Sequence, residues 1–206
     1  MAGPDLRLDW ATYEAAKYAC RHWHYAGKIP RAKLVRVGVW EDGSFRGVVI
    51  FSYGATPKIG SPFGLRQTEV CELTRIALRR HRSPVSRIIK IALKFLKESN
   101  PGIKLVVSFA DTEQGHHGGI YQASNWIYAG TTKPGRVGFV IKGEKVHTRT
   151  IGARGGVQSL RWVRENLDPR AEEWLGSPKH RYLMPLDEQT RERVRPLSRP
   201  YPKREK

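Results

Sequence analysis

The stretch KLVVSFADTEQGHHGGIYQASNWIYAGT, residues 104–131, decides how the chain is read. Lys104–Ala110 is almost wholly apolar and rich in valine, the composition of a strand buried on both faces at the centre of a sheet. Asp111–Gly119 then turns abruptly to polar, glycine and histidine residues. A short helix over Ile120–Ser124 and a strand over Trp126–Thr131 follow. A polar loop at the carboxyl end of a central strand is a usual place for a site in an α/β sheet.

Working upstream, Leu34–Trp40 and Arg46–Tyr53 read as two strands joined at Glu41-Asp42-Gly43, a hairpin turn. Glu69–Leu78 is a third strand, after a loop rich in Gly and Pro over 54–67. Pro84 suits the first turn of a helix reaching Lys97, with Val85, Ile88, Ile89, Ala92, Leu93 and Leu96 on its apolar face. Asp9 is placed to cap a first helix from Trp10 to about His22. Downstream, Val137–Lys142 and Lys145–Thr150 form a hairpin across Gly143-Glu144, and Val157–Leu167 reads as a helix. The organisation expected is a catalytic domain over 1–150, a basic helical extension over 151–194 and a disordered basic tail over 195–206.

The chain has 206 residues and a formal net charge of +18, with a sequence pI near 10.3. An excess of this size draws polyanions by counterion release, so nucleic acid is the first partner to consider and an anionic membrane surface the second. No apolar stretch is long enough to span a bilayer, and MAGPDLRLDW does not read as a signal peptide. Cys20 and Cys71 alone make no disulfide framework, and a reducing cytoplasm is the simple expectation. No G-x-G-x-x-G or P-loop motif is present, and the element order is not βαβ throughout, which argues against a dinucleotide fold.

The order of elements resembles the GNAT acyltransferase fold. Ile120–Trp126 is similar to the GNAT helix that carries a tyrosine and ends in Gly-Phe before its strand. Here Asn125-Trp126 stands in that place, and asparagine tolerates the left-handed conformation better than most residues. A closer resemblance is carried by His24-Tyr25, GVWEDG (38–43), GSPFGLRQTEVCELTRIAL (60–78) and VVSFADTEQGHHGGIYQASNWIYAGT (106–131). These runs resemble the Mom family of phage adenine-modification proteins, over roughly residues 18–150. The resemblance implies an α+β GNAT-like fold whose central, mostly antiparallel mixed sheet is flanked by helices. It implies conversion of adenine in DNA to an N6-carbamoylmethyl form that protects phage DNA from host restriction. It places the family's functional residues on His24, Tyr25, Asp111 and Tyr121, and it implies a bound iron.

Each of these residues has a chemical and a structural reading. Tyr121 can protonate a departing thiolate, or it is a core tyrosine with a satisfied hydroxyl. Asp111 is a desolvated base or a cap for the glycine-rich loop; His24 is the other candidate base. His24 and His116, with His117 and His22 nearby in sequence, are candidate metal ligands or hydrogen-bonded site histidines. Glu72 faces the acceptor or pairs with Arg75. Arg79, Arg80, Arg82, Ser83 and Ser86 precede or open a helix and suit a diphosphate. GNAT loops carry glycines there and this one does not, so the loop equally suits DNA phosphate or the acceptor stem of an aminoacyl-tRNA. The donor is therefore an acetyl-CoA-like thioester or an aminoacyl ester. Trp23, Tyr25 and Tyr53 can stack on a base extruded from the duplex. Gln122 or Asn125 can read an adenine edge, and Arg31 and Lys33 can position phosphates. The function expected is group transfer to adenine N6 in DNA. The competing readings are an N-acetyltransferase of a protein or small amine, and a basic nucleic-acid-binding protein without catalysis.

Overall fold

The computed structural model describes residues 3–54 and 56–203. In chain order the elements are β1 (Leu6–Trp10), α1 (Tyr13–Trp23), β2 (Leu34–Glu41), β3 (Ser44–Ser52), β4 (Val70–Leu78), α2 (Val85–Ser99), β5 (Leu105–Asp111), α3 (Gly119–Gln122), β6 (Ile127–Thr131), β7 (Arg136–Ile141), β8 (Glu144–His147), α4 (Thr148–Ala153), α5 (Leu160–Asn166), β9 (Glu172–Leu175), β10 (Lys179–Pro185) and α6 (Glu188–Val194). They form two units. The first holds residues 3–110, 116–130 and 180–203; the second holds 111–115 and 131–179.

A seven-stranded sheet in the order β1-β2-β3-β4-β5-β10-β6 dominates the first unit. Strands β1 to β4 pair antiparallel in succession, and β4 pairs with β5 in parallel. Alternation along β3 sorts its side chains to two faces. Val48 and Ile50 pack with Ala16, Ala19 and Cys20 of α1. Val49 and Phe51 pack with Ile88, Ile89, Ala92 and Leu96 of α2. The two helices therefore cover opposite faces of the sheet.

Several expectations are corrected. The first helix does not begin at Trp10 under an Asp9 cap. Residues 6–10 alternate apolar and polar, pair with β2 as an edge strand, and leave Thr12 to cap α1 by accepting from the Ala15 amide at 3.2 Å. Asp9 instead accepts from its neighbour Trp10 N and from Arg7. Residues 151–194, expected to be helical, include β9 and β10, and β10 enters the main sheet between β5 and β6. The Leu186 amide donates to Lys104 O at 2.8 Å, which puts the end of β10 beside the start of β5. Nor is 195–203 a loose tail: Arg195–Leu197 is a 3-10 turn, the Arg199 amide donates to Tyr128 O, and the Tyr201 hydroxyl donates to Trp126 O at 2.8 Å. Residues 204–206 lie outside the described residues.

The second unit carries a three-stranded antiparallel sheet, β8-β7-β9. Phe139, Ile151, Val163 and Ala171 form its core. The buried Asp168 carboxylate ties it together by accepting from the Lys142 and Arg170 amides at 2.7 and 2.9 Å. Among the described residues, no helix is long and apolar enough to cross a membrane.

Two irregularities in the main sheet position the site. The β3–β4 register slips between Ile50↔Arg75 and Phe51↔Leu73, leaving Thr74 as an extra, bulged residue. The β4–β5 ladder comprises only Val70↔Leu105, Cys71↔Val106 and Glu72↔Val107. Beyond Glu72 and Val107 the two parallel strands part, and a fork opens with Leu73 and Ser108 at its base.

Gly118 shows how tightly α3 is set against β10. Its φ is +83°, and a Cβ there would lie 2.2–2.6 Å from the Tyr182 ring and hydroxyl. Tyr182 is fully buried, so its ring cannot step aside. Gly118→Ala is expected to cost about 2–4 kcal/mol of stability in urea denaturation, from overpacking and left-handed strain together. A loss within about 0.5 kcal/mol would contradict this packing.

Candidate active site

The base of the fork is built from one polar side chain in an otherwise apolar strand. Ser108, fully buried, has its Oγ 2.8 Å from Leu73 O and 2.7 Å from the Tyr121 hydroxyl. A serine has one proton and a carbonyl can only accept, so Ser108 donates to Leu73 and accepts from Tyr121. Tyr121 is 7 % exposed and packs against Trp126 at 5.1 Å and Tyr182 at 5.0 Å between ring centroids. Burial pushes the phenol up to about 12, against the Ser108 hydrogen bond, with the Glu72 and Tyr25 charges adding to the rise. Tyr121 therefore stays protonated across the physiological range.

Glu72 lies on β4 opposite Ser52, two residues before the Thr74 bulge. A Cβ on Gly54 would come within 3.2 Å of its Oε2, so the loop after β3 approaches the carboxylate closely. Arg75, on the other side of the bulge, donates from Nη1 to Thr74 O at 2.7 Å. Its Nε is buried without a hydrogen-bond partner.

The segment after α1 supplies the aromatic side of the site. Tyr25 stacks on His24 with centroids 4.4 Å apart at 29°, and His116 meets the Tyr25 ring edge-on at 5.6 Å. Tyr25 is 54 % exposed. The His24 Nδ1 accepts the Ala26 amide at 3.0 Å, which assigns the ring proton of the neutral imidazole to Nε2. Burial, then the Arg75 and His116 charges, lower the His24 pKa from 6.5 to about 4. At neutral pH His24 is an uncharged donor through Nε2, and the expectation that it serves as a base does not fit its hydrogen bonding.

Asp111 has a largely buried side chain that is fully engaged. Its Oδ1 accepts the Glu113 amide at 3.1 Å and its Oδ2 pairs with Lys179 at 2.8 Å, both within the second unit. The capping reading is the one its geometry matches. Gln122 is likewise committed: its Nε2 lies within 3.3 Å of His117 O, Tyr182 Oη and Pro202 O, and so holds structure rather than presenting an open edge. The His117 carbonyl also accepts from the Tyr182 hydroxyl at 2.5 Å. Asn125 is exposed and adopts φ +57°, the left-handed turn expected of it. Trp23 packs against Tyr18 and Phe45, and Trp126 is fully buried.

Tyr53 and Lys33 border a different cavity of about 190 Å³, lined by Phe51, Cys71 and Leu96. Cys71 and Glu72 point to opposite faces of β4, so this cavity is on the α2 side and Tyr53 is not grouped with Tyr25. Arg31, Arg79, Arg80 and Arg82 are exposed, Ser86 is half-buried and Ser83 is buried. The iron implied by the resemblance finds no fitting ligand set. Among the described residues no three His, Cys, Asp or Glu side chains are grouped to hold a metal, and His24 Nδ1 is already occupied by the Ala26 amide.

Ser108, Thr74 and Tyr182 were not singled out from sequence. The signal for Ser108 was present, a lone hydroxyl in KLVVSFA. The signal for Tyr182 was hidden, because β10 has no helical or hairpin context to announce it.

The comparisons agree with this architecture. The model of the Mom protein family matches residues 5–203. The chain is 27 % identical over 208 aligned positions to the methylcarbamoylase Mom of Escherichia phage Mu, covering 97 % of this chain and 84 % of that protein. A solved structure from Acinetobacter baylyi ADP1, of a protein assigned as an acetyltransferase, shares the fold with a TM-score of 0.50 at 14 % identity, covering 91 % of this chain and 95 % of that one.

The His24 environment sets a pH dependence. Between about pH 6.5 and 4 the unfolded chain binds a proton at this position that the folded chain does not, so folding stability falls as pH drops through that window. His24→Asn keeps an acceptor for the Ala26 amide and removes the titration. Thermal denaturation at a series of pH values is expected to show a shallower acid decline for this variant than for the parent. An unchanged decline would contradict the half-buried, neutral imidazole.

Proposed function

The chain belongs to the Mom protein family, and from that premise we propose that it is a transferase that joins an acyl- or glycyl-type group to the exocyclic N6 amine of adenine in DNA. A glycyl group on that amine, N6–CO–CH2–NH2, is an isomer of a carbamoylmethyl adduct, N6–CH2–CO–NH2, so the form that would shield phage DNA from restriction requires an isomerisation after the transfer. The observation that carries the reading is the hydroxyl pair Ser108–Tyr121 at the base of the β4–β5 fork, with Glu72 and Tyr25 near enough to act on the phenol electrostatically.

The N6 lone pair is delocalised into the purine ring, so the amine needs orientation and help with its proton. Its reactive face is engaged in pairing within a duplex, which calls for extrusion of the base. Tyr25, half-exposed and backed by His24, offers the extruded purine a stacking face. His24 donates through Nε2–H to a ring nitrogen acceptor, since it has no vacant lone pair for the N6 proton. That leaves the Glu72 carboxylate as proton acceptor. N6 attacks the donor carbonyl carbon, the N6–C bond forms, and the bond from that carbon to the carrier breaks. The departing group takes the Tyr121 proton, and Ser108 rotates its own proton from Leu73 O to the phenolate. Asp111 has the separate task of holding the 111–115 loop through Glu113 and Lys179. The net charge of +18 supplies sequence-independent attraction to phosphate.

Expression of the chain in bacteria, followed by digestion of their DNA and mass spectrometry of the nucleosides, is expected to show a modified adenine. Tyr121→Phe removes one hydroxyl without changing packing, and Glu72→Gln removes the charge. Each is expected to lower the modified nucleoside by at least about 100-fold while circular dichroism stays unchanged. Wild-type levels of modified adenine in either variant would overturn the assigned roles.

A further inference from the structure

The loop between β4 and α2 is where an acyltransferase of this fold would cradle a coenzyme diphosphate on backbone amides. In this chain an internal carboxylate already sits there. Glu41, the last residue of β2, is 1 % exposed. Its Oε2 accepts the Arg82 amide at 2.8 Å and its Oε1 accepts the Ser83 amide at 2.6 Å. Burial alone would push its pKa up, but the hydrogen bonds from Ser83 and Arg82 outweigh it and hold the carboxyl below its ordinary value. Glu41 is therefore an anion, fixed on the two amides just before the helix.

Other groups of the loop also have partners within the chain. The Arg79 amide donates to Arg46 O, and the His81 ring is 2.9 Å from Ser83 O. The Arg82 guanidinium is bound to Asp42, the residue after Glu41. Arg80 takes φ +50°, where acyltransferase loops use glycine to let a phosphate approach.

We propose that Glu41 stands in for the donor diphosphate and closes this loop to it, so that the group donor is not carried on a coenzyme A anchored there. This inference rests on the reading of the chain as a group transferase and narrows its donor class. A diphosphate would have to displace an ionised, buried carboxylate that already satisfies the amides, and like charges at that spacing oppose it. The acid at the other end of the fork agrees. A phenol near 12 gives its proton uphill to a thiolate, whose conjugate acid lies near ~8.5, but at little cost to an alkoxide. In an oxygen ester the carbonyl–oxygen bond would break, the alkoxide taking the phenol proton while N6 keeps the acyl group.

The test is a titration of the 15N-labelled full chain with millimolar coenzyme A, then with acetyl-pantetheine, at moderate salt. The Arg82 and Ser83 amide resonances are expected to stay in place throughout, and coenzyme A bound elsewhere on this cationic surface with those two amides unmoved supports the proposal equally. Saturable shifts of both amides with coenzyme A but not with acetyl-pantetheine overturn it. Glu41→Gln frees one amide and removes the charge, and is expected to tighten coenzyme A by about tenfold. An unchanged affinity in a folded Glu41→Gln chain also counts against the proposal, and if that variant does not fold, the wild-type titration decides. These readouts follow occupancy of the loop and not product, so a failure here is separable from the absence of modified adenine.

Discussion

The parting of β4 from β5 is the constraint on which the site depends. A parallel pair that stayed zipped past Glu72 and Val107 would bury Leu73 O and Ser108 in a regular ladder and leave no opening. Once the strands separate, Leu73 O needs another donor, and Ser108 provides it from across the gap. That bond uses the only proton Ser108 has, so its oxygen becomes the acceptor that orients Tyr121. The Thr74 bulge on the other side of β4 gives the strand the local bend the separation requires. A backbone irregularity thus becomes, through one buried hydroxyl, the placement of the Tyr121 phenol.

The electrostatics divide sharply between surface and interior. The surface is strongly cationic, whereas two groups of the candidate site are held neutral: burial keeps Tyr121 protonated and His24 unprotonated. Such a division suits a polyanionic substrate whose reacting part is an uncharged base. Phosphates are attracted by side chains anywhere on the surface, and the proposed site would offer a purine donors, an aromatic face and one carboxylate. In the loop after β4, Glu41 is an internal anion that binds the Arg82 and Ser83 amides.

Much of the fold could be read from periodicity. Strands β2 to β6 and helix α2 have alternation or helical spacing strong enough to place them within a residue or two, and the polar break after KLVVSFA located the site. The resemblance carried by residues 60–78 and 106–131 pointed to the right family. What could not be read depended on distant partners. Residues 6–10 are short enough for either a helix start or an edge strand, and only pairing with β2 decides between them. The β10 strand lies some seventy residues after the strand it borders, and no local pattern encodes that return. Asp111 carried the right residue type for a base, but Lys179, which pairs with it, is far away in sequence. Glu41 read as a turn residue because its two amide partners are forty residues downstream.

The central claim is that an adenine enters over Tyr25 and His24 toward Tyr121. Photocrosslinking with an oligonucleotide carrying a photoreactive adenine, followed by peptide mass spectrometry, tests it most directly. Adducts are expected within residues 22–27 and 116–121, in competition with unlabelled DNA. Adducts confined to residues 131–179, with none on those two segments, would contradict it.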